Sequence, residues 1–102
     1  MIDLLKQKQN EVAELCRRYN VRRLDVFGSA ANGNFDEEKS DIDFLVEFGA
    51  HETIDILDRY LDLAENLEAL FGKKVDLVTV RSVKNPYFRA SVEASKELIY
   101  AT

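Results

Sequence analysis

The sequence predicts an α/β fold: a small mixed β-sheet of three or more strands packed by helices. Three observations point there. Helix-period and strand-like segments alternate in the order α-β-β-α-β-α, no repeat or low-complexity stretch interrupts them, and 102 residues suffice for one domain but not two. With 46% hydrophobic and 32% charged residues the composition is that of an ordinary globule and excludes a disordered chain.

The first segment, Asp3 to about Tyr19, reads as one amphipathic helix. Leu5, Val12, Leu15, Cys16 and Tyr19 share a side, Glu14 and Arg18 form a supportive i, i+4 pair, and Asn20 is a stop signal. Val21 to Phe27 reads as a strand that ends abruptly at Gly28-Ser29. Asn32 to Ser40 is polar and charged, hence an exposed loop. Ile42 to Phe48 is a second strand, closed by Gly49-Ala50-His51. Glu52 to Phe71 is the longest predicted helix, with an apolar stripe of Ile54, Leu57, Leu61, Ala64, Leu67 and Phe71, an acidic outer face and Gly72 as its stop. Lys74 to Val80 is a third strand, Asn85-Pro86 a turn, and Tyr87 to about Tyr100 a final helix.

Charge and cysteine content narrow the function classes. Fourteen Lys+Arg against nineteen Asp+Glu leave a net charge of −5. That balance disfavours direct nucleic-acid binding and suits a divalent cation or a basic partner. No apolar run is long enough for a membrane span, and the N-terminal residues lack a signal-peptide layout. A single cysteine, Cys16, excludes a disulfide framework, so a cytoplasmic setting is expected.

Three features can carry chemistry together. Gly28-Ser29 at a strand exit allows a sharp turn and brings backbone N–H groups close to an anion such as phosphate; Gly33 permits a second close approach. Asp41 and Asp43, two apart on a strand, point to one face, where like charges repel unless a cation lies between them. Oxygen-only donors at that spacing suit Mg²⁺. Asp76 interrupts the apolar run Val75-Asp76-Leu77-Val78, and it meets the other two if its strand lies beside theirs. Taken singly, each is more often bland: a turn, a polar strand edge, or a salt bridge from Asp76 to Lys73, Lys74 or Arg81. His51 reads as a turn residue, Cys16 as a buried small hydrophobe, and Tyr87, Phe88 and Tyr100 as packing.

The ordered set is more specific than its pieces. Phe27-Gly28-Ser29-Ala30-Ala31-Asn32-Gly33, then Ser40-Asp41-Ile42-Asp43-Phe44-Leu45-Val46, then Val75-Asp76-Leu77-Val78 resembles the minimal nucleotidyltransferase branch of the polymerase-β-like superfamily, over nearly the whole chain. The resemblance implies an active site on the exposed sheet face. Gly28 and Ser29 would hold the β- and γ-phosphates of ATP, with Gly33 beside them. Asp41 and Asp43 would bind two Mg²⁺ ions, and Asp76 would complete the metal site near the incoming hydroxyl. It further implies a chain without an acceptor-binding domain. It would work as the antitoxin of a HEPN ribonuclease toxin, moving AMP onto a toxin tyrosine within a hetero-oligomer. The chain departs from the family pattern at Asn32, where an arginine is usual, and in a Gly33–Ser40 loop about one residue longer than usual. Two other functions compete: a non-catalytic antitoxin acting by occlusion, which Asn32 keeps open, and a nucleotidyltransferase of small molecules such as aminoglycosides, against which the missing acceptor-binding residues count.

Overall fold

A computed structural model describes residues 2–32, 36, 40–49 and 56–102. The predicted first helix is two: α1 (Asp3–Gln7) and α2 (Gln9–Arg18). They meet at Lys8, whose backbone (φ −103°, ψ 12°) leaves the helical region while still bonding to Leu4 and receiving Val12. The intrahelical ion pair is Glu14 with Arg17 at 3.4 Å, one position from that expected. Asn20, at φ 54°, takes the left-handed conformation that ends α2.

The sheet contains β1 (Val21–Phe27), β2 (Ile42–Phe48), β3 (Val75–Thr79) and β4 (Glu97–Ala101), in the order β3-β2-β1-β4. Strand β1 pairs antiparallel with both β2 and β4, whereas β2 and β3 are parallel and joined through α4 (Ile56–Phe71). A one-turn helix, α3 (Ser29–Asn32), follows β1. A 3-10 turn (Val80–Ser82) leads to α5 (Pro86–Ser95), where the Asn85 side chain accepts from the N–H groups of Tyr87 and Phe88 and Pro86 opens the first turn.

Three expectations are corrected. The final helix stops at Ser95, because Lys96 is extended (φ −66°, ψ 143°) and Glu-Leu-Ile-Tyr-Ala pairs with β1 as β4. On α4 the buried side is Leu63, Leu67 and Phe71, with Tyr60, Ala64 and Leu70 packed against the core; Leu57 (65%) and Leu61 (52%) are exposed. The apolar stripe is wider than the surface the sheet offers, so its Leu57 edge overhangs. Glu68 turns inward and accepts from the Val75 N–H at 3.1 Å. Ile54, His51 and the helix start at Glu52 lie outside the described residues.

Strand alternation sends Leu24, Val26, Ile42, Phe44, Val46 and Leu77 to one face, where α2 and α4 bury them in the main core. The opposite face carries a second, smaller cluster of Phe27, Leu45, Val83 and Val92, and α5 lies over it. Phe88 of α5 meets Phe27 edge-on, with ring centroids 6.0 Å apart.

Candidate active site

Asp41, Asp43 and Leu45 alternate with the core residues Ile42 and Phe44, so they belong to the face that carries the smaller cluster. Parallel pairing sets Asp76 of β3 directly beside Asp43, while antiparallel pairing sets Phe27 of β1 on its other flank. The two carboxylates, 33 positions apart in sequence (76 − 43), are thus neighbours on one surface. Asp76 is exposed, not buried as its apolar neighbours suggested; it occupies an edge strand, which gives the carboxylate water.

Electrostatics register the convergence. The Asp43 carboxyl is pushed up to about 6, first by burial and then by the negative charges of Asp76 and Asp41. Like charges held this way favour a divalent cation over protons at neutral pH. Among the described residues no three acidic side chains close into a cage that holds an ion unaided. That is compatible with Mg²⁺, which commonly takes one or two carboxylates and completes its shell with substrate phosphates and water.

Gly28 closes the corner. It sits at φ 70°, and a Cβ there would stand 2.6 Å from Asp43 Oδ2, so only glycine lets the β1–α3 turn approach this carboxylate. The Gly28 N–H donates to Ser95 Oγ at 3.3 Å, and that hydroxyl donates to the Ser91 carbonyl at 3.2 Å. Ser29 opens α3 immediately after. Gly33 lies outside the described residues, as does the side chain of Asn32. The acidic loop remains undescribed apart from the exposed Asp36.

Two polar groups on this side escaped the sequence reading. Ser95 reaches Gly28 across 67 positions, and no spacing in the chain announces it. Asp25 is 2% exposed in β1 and pairs with Arg23 at 3.0 Å. Its signal was legible, since Leu24-Asp25-Val26 repeats the carboxylate-in-apolar-run pattern that singled out Asp76. Of the lesser candidates, Cys16 is fully buried and burial pushes its thiol up to about 12, which removes it as a nucleophile. Tyr100 packs against the core, but Tyr87, expected to pack, is 86% exposed. Among the described residues no helix is long and apolar enough to cross a membrane.

Known proteins share these features. The profile of the family described as "Nucleotidyltransferase domain" matches residues 10–99. "Putative protein adenylyltransferase MJ1379" of Methanocaldococcus jannaschii is 40% identical over 99 residues, covering 89% of this chain and 95% of that protein. "Protein adenylyltransferase MntA" of Thermococcus cleftensis is 46% identical over 72 residues, covering 71% and 69%. Among solved structures, a "putative minimal nucleotidyltransferase" superposes with a TM-score of 0.75 at 36% identity, covering 94% of this chain and 95% of that one. A toxin–antitoxin crystal structure with AMP-PNP superposes at 0.71 and 26% identity, covering 92% and 73%. The chain therefore belongs to the nucleotidyltransferase domain family and is a nucleotidyltransferase.

Proposed function

We propose that the chain is a Mg²⁺-dependent protein adenylyltransferase that moves AMP from ATP to a tyrosine hydroxyl of a HEPN-type toxin, and so acts as its antitoxin. One observation carries the proposal: Asp43 stands beside Asp76 and under the Gly28 turn, with its carboxyl raised first by burial and then by the charges of Asp76 and Asp41. Relatives named protein adenylyltransferase and the AMP-PNP-bound toxin–antitoxin neighbour support the nucleotide and the partner class.

Gly28 and Ser29, followed by Gly33, would hold the β- and γ-phosphates; the Gly28 N–H is taken by Ser95 Oγ, so the donors on this turn are the Ser29 N–H and hydroxyl. Asp41, Asp43 and Asp76 are the groups that would hold two Mg²⁺ ions. Bound there, Mg²⁺ supplies positive charge to the attacking and leaving oxygens. The acceptor oxygen bonds to the α-phosphorus, the bond to the β-phosphate oxygen breaks, and pyrophosphate departs with that electron pair. Asp76, at the edge of the sheet and open to solvent, takes the phenolic proton. AMP adds bulk and negative charge to the acceptor surface, which opposes binding of RNA phosphates there.

The test is to incubate the chain with ATP, Mg²⁺ and the product of the neighbouring gene, and to weigh that product intact. A gain of AMP, lost with Asp43→Asn, is expected. Full inhibition of the partner with no mass gain would instead establish occlusion. Transfer to aminoglycosides without any partner protein would establish a small-molecule enzyme.

A further inference from the structure

Glycine has more backbone freedom than any other residue, yet Gly28, at the corner of the site, has the peptide planes on both its sides held. Its carbonyl accepts from the Ala31 N–H at 3.1 Å, inside the turn that opens α3. Its N–H donates to Ser95 Oγ at 3.3 Å, at the last residue of α5. The first bond restrains the plane on the ψ side and the second the plane on the φ side. The φ side matters more here. At φ 70° the turn passes so close to Asp43 that a Cβ would lie 2.6 Å from Oδ2. Rotation about that bond would carry the Gly28-Ser29 segment away from the carboxylate.

The sheet register explains why a serine 67 positions away reaches this N–H. Val26 of β1 is level with Glu97 of β4, and the same antiparallel register carried two residues further sets Gly28 against Ser95. In a continuing ladder a main-chain carbonyl would take the Gly28 N–H. Ser95 instead ends α5, and its side-chain oxygen stands in for that carbonyl. The hydroxyl is itself oriented, because it donates to the Ser91 carbonyl at 3.2 Å, four residues back, and so turns its lone pairs outward to accept. A serine that served α5 alone would need only the Ser91 contact. With its N–H committed to Ser95 and its carbonyl to Ala31, Gly28 contributes shape to the corner, and the donors begin at Ser29.

We propose that Ser95 is a positioning residue for nucleotide binding: its hydroxyl holds the Phe27–Gly28 peptide so that the Gly28-Ser29 turn stands over Asp43 before the triphosphate arrives. The inference rests on the phosphate role given above to this turn and adds what fixes it. A turn held beforehand loses less freedom when the ligand binds, so the hydroxyl raises nucleotide affinity and leaves turnover at saturation unchanged. The end of α5 thereby belongs to the site although it contributes no contact to the phosphates.

Ser95→Thr and Ser95→Val isolate the hydroxyl. The two side chains share a shape and a similar helix propensity, but only threonine can accept from Gly28 and donate to Ser91. Calorimetric titration with AMP-PNP and Mg²⁺ should give Ser95→Thr the affinity of the natural chain. Ser95→Val should bind about three- to tenfold more weakly, and Ser95→Ala, which adds no atoms, should match it. In the nucleotide-free chain, hydrogen exchange at the Gly28 amide should be slow in the natural protein and in Ser95→Thr, and about threefold faster or more in Ser95→Val and Ser95→Ala. An AMP-PNP affinity in Ser95→Ala equal to that of the natural chain, or tighter, overturns the proposal. So does a Gly28 amide that exchanges alike in all four proteins. If the natural chain itself binds no AMP-PNP, the phosphate reading falls, and the Ser95 tether stands on the exchange difference.

Discussion

The two faces of one four-stranded sheet do different work. Against α2 and α4, the strands present an unbroken apolar surface, with Ile42, Phe44 and Val46 at 0% exposure. On the reverse, the same strands present Asp43, Asp76 and Asp25 among a few apolar residues, and among the described residues α5 covers only part of it. The difference follows from strand alternation: adjacent residues such as Ile42 and Asp43 serve opposite ends. Stability is concentrated on the first face, which leaves the second free to hold mutually repelling charges that a folding core would exclude.

Substitutions on the two faces should therefore separate stability from turnover. The largest effect belongs to the main core. Phe44→Ala should lose about 3–5 kcal/mol of folding stability. At about 4–8 °C per kcal/mol for a chain of this size, calorimetry should show a fall in Tm of more than ten degrees. Asp43→Asn should do the reverse: AMP transfer, read as pyrophosphate release, should fall by at least about 10²-fold while Tm holds or rises. A variant that loses both equally would erase the distinction between the faces.

Gly28→Ala sits between these extremes. The left-handed backbone costs roughly 1–2 kcal/mol for a residue with a Cβ. The new methyl displaces the Asp43 carboxylate, so turnover and Tm should fall together. The smallest effect is a pH dependence. Because the folded-state Asp43 carboxyl is raised from 3.8 to about 6, its favourable contribution is fully present below about pH 4 and is lost as pH rises through 6. In metal-free buffer the Tm of the natural chain, relative to Asp43→Asn, should decline across that window. Mg²⁺ should restore it above pH 6 in the natural chain alone.

Local pattern made most of this arrangement legible. The bounds of β1 and β2, the stops at Asn20 and Gly72 and the Asn85-Pro86 turn all follow from periodicity and backbone chemistry that act within a few residues. Strand β4 did not, because nothing near Lys96 breaks a helix; pairing with β1, some seventy positions earlier, decides the conformation of Glu97–Ala101. The inward side of α4 was misjudged for a related reason. Its apolar residues spread over about half of the helix circumference, and packing against the sheet buries Leu63 and Leu67 while leaving Leu57 and Leu61 exposed. At the site, Asp41 and Asp43 could be paired from their spacing, and Asp76 from its incongruity in an apolar run. Ser95 could not be found, since its hydroxyl meets Gly28 only through the path of α5 across the sheet.

Calorimetric titration of AMP-PNP with and without Mg²⁺, on the natural chain and on Asp76→Asn, probes the shared acidic surface most directly. We expect binding that requires Mg²⁺ in the natural chain and weakens by about tenfold or more in the variant, with its Tm preserved. Equal affinity in both proteins, or binding indifferent to Mg²⁺, would contradict the account.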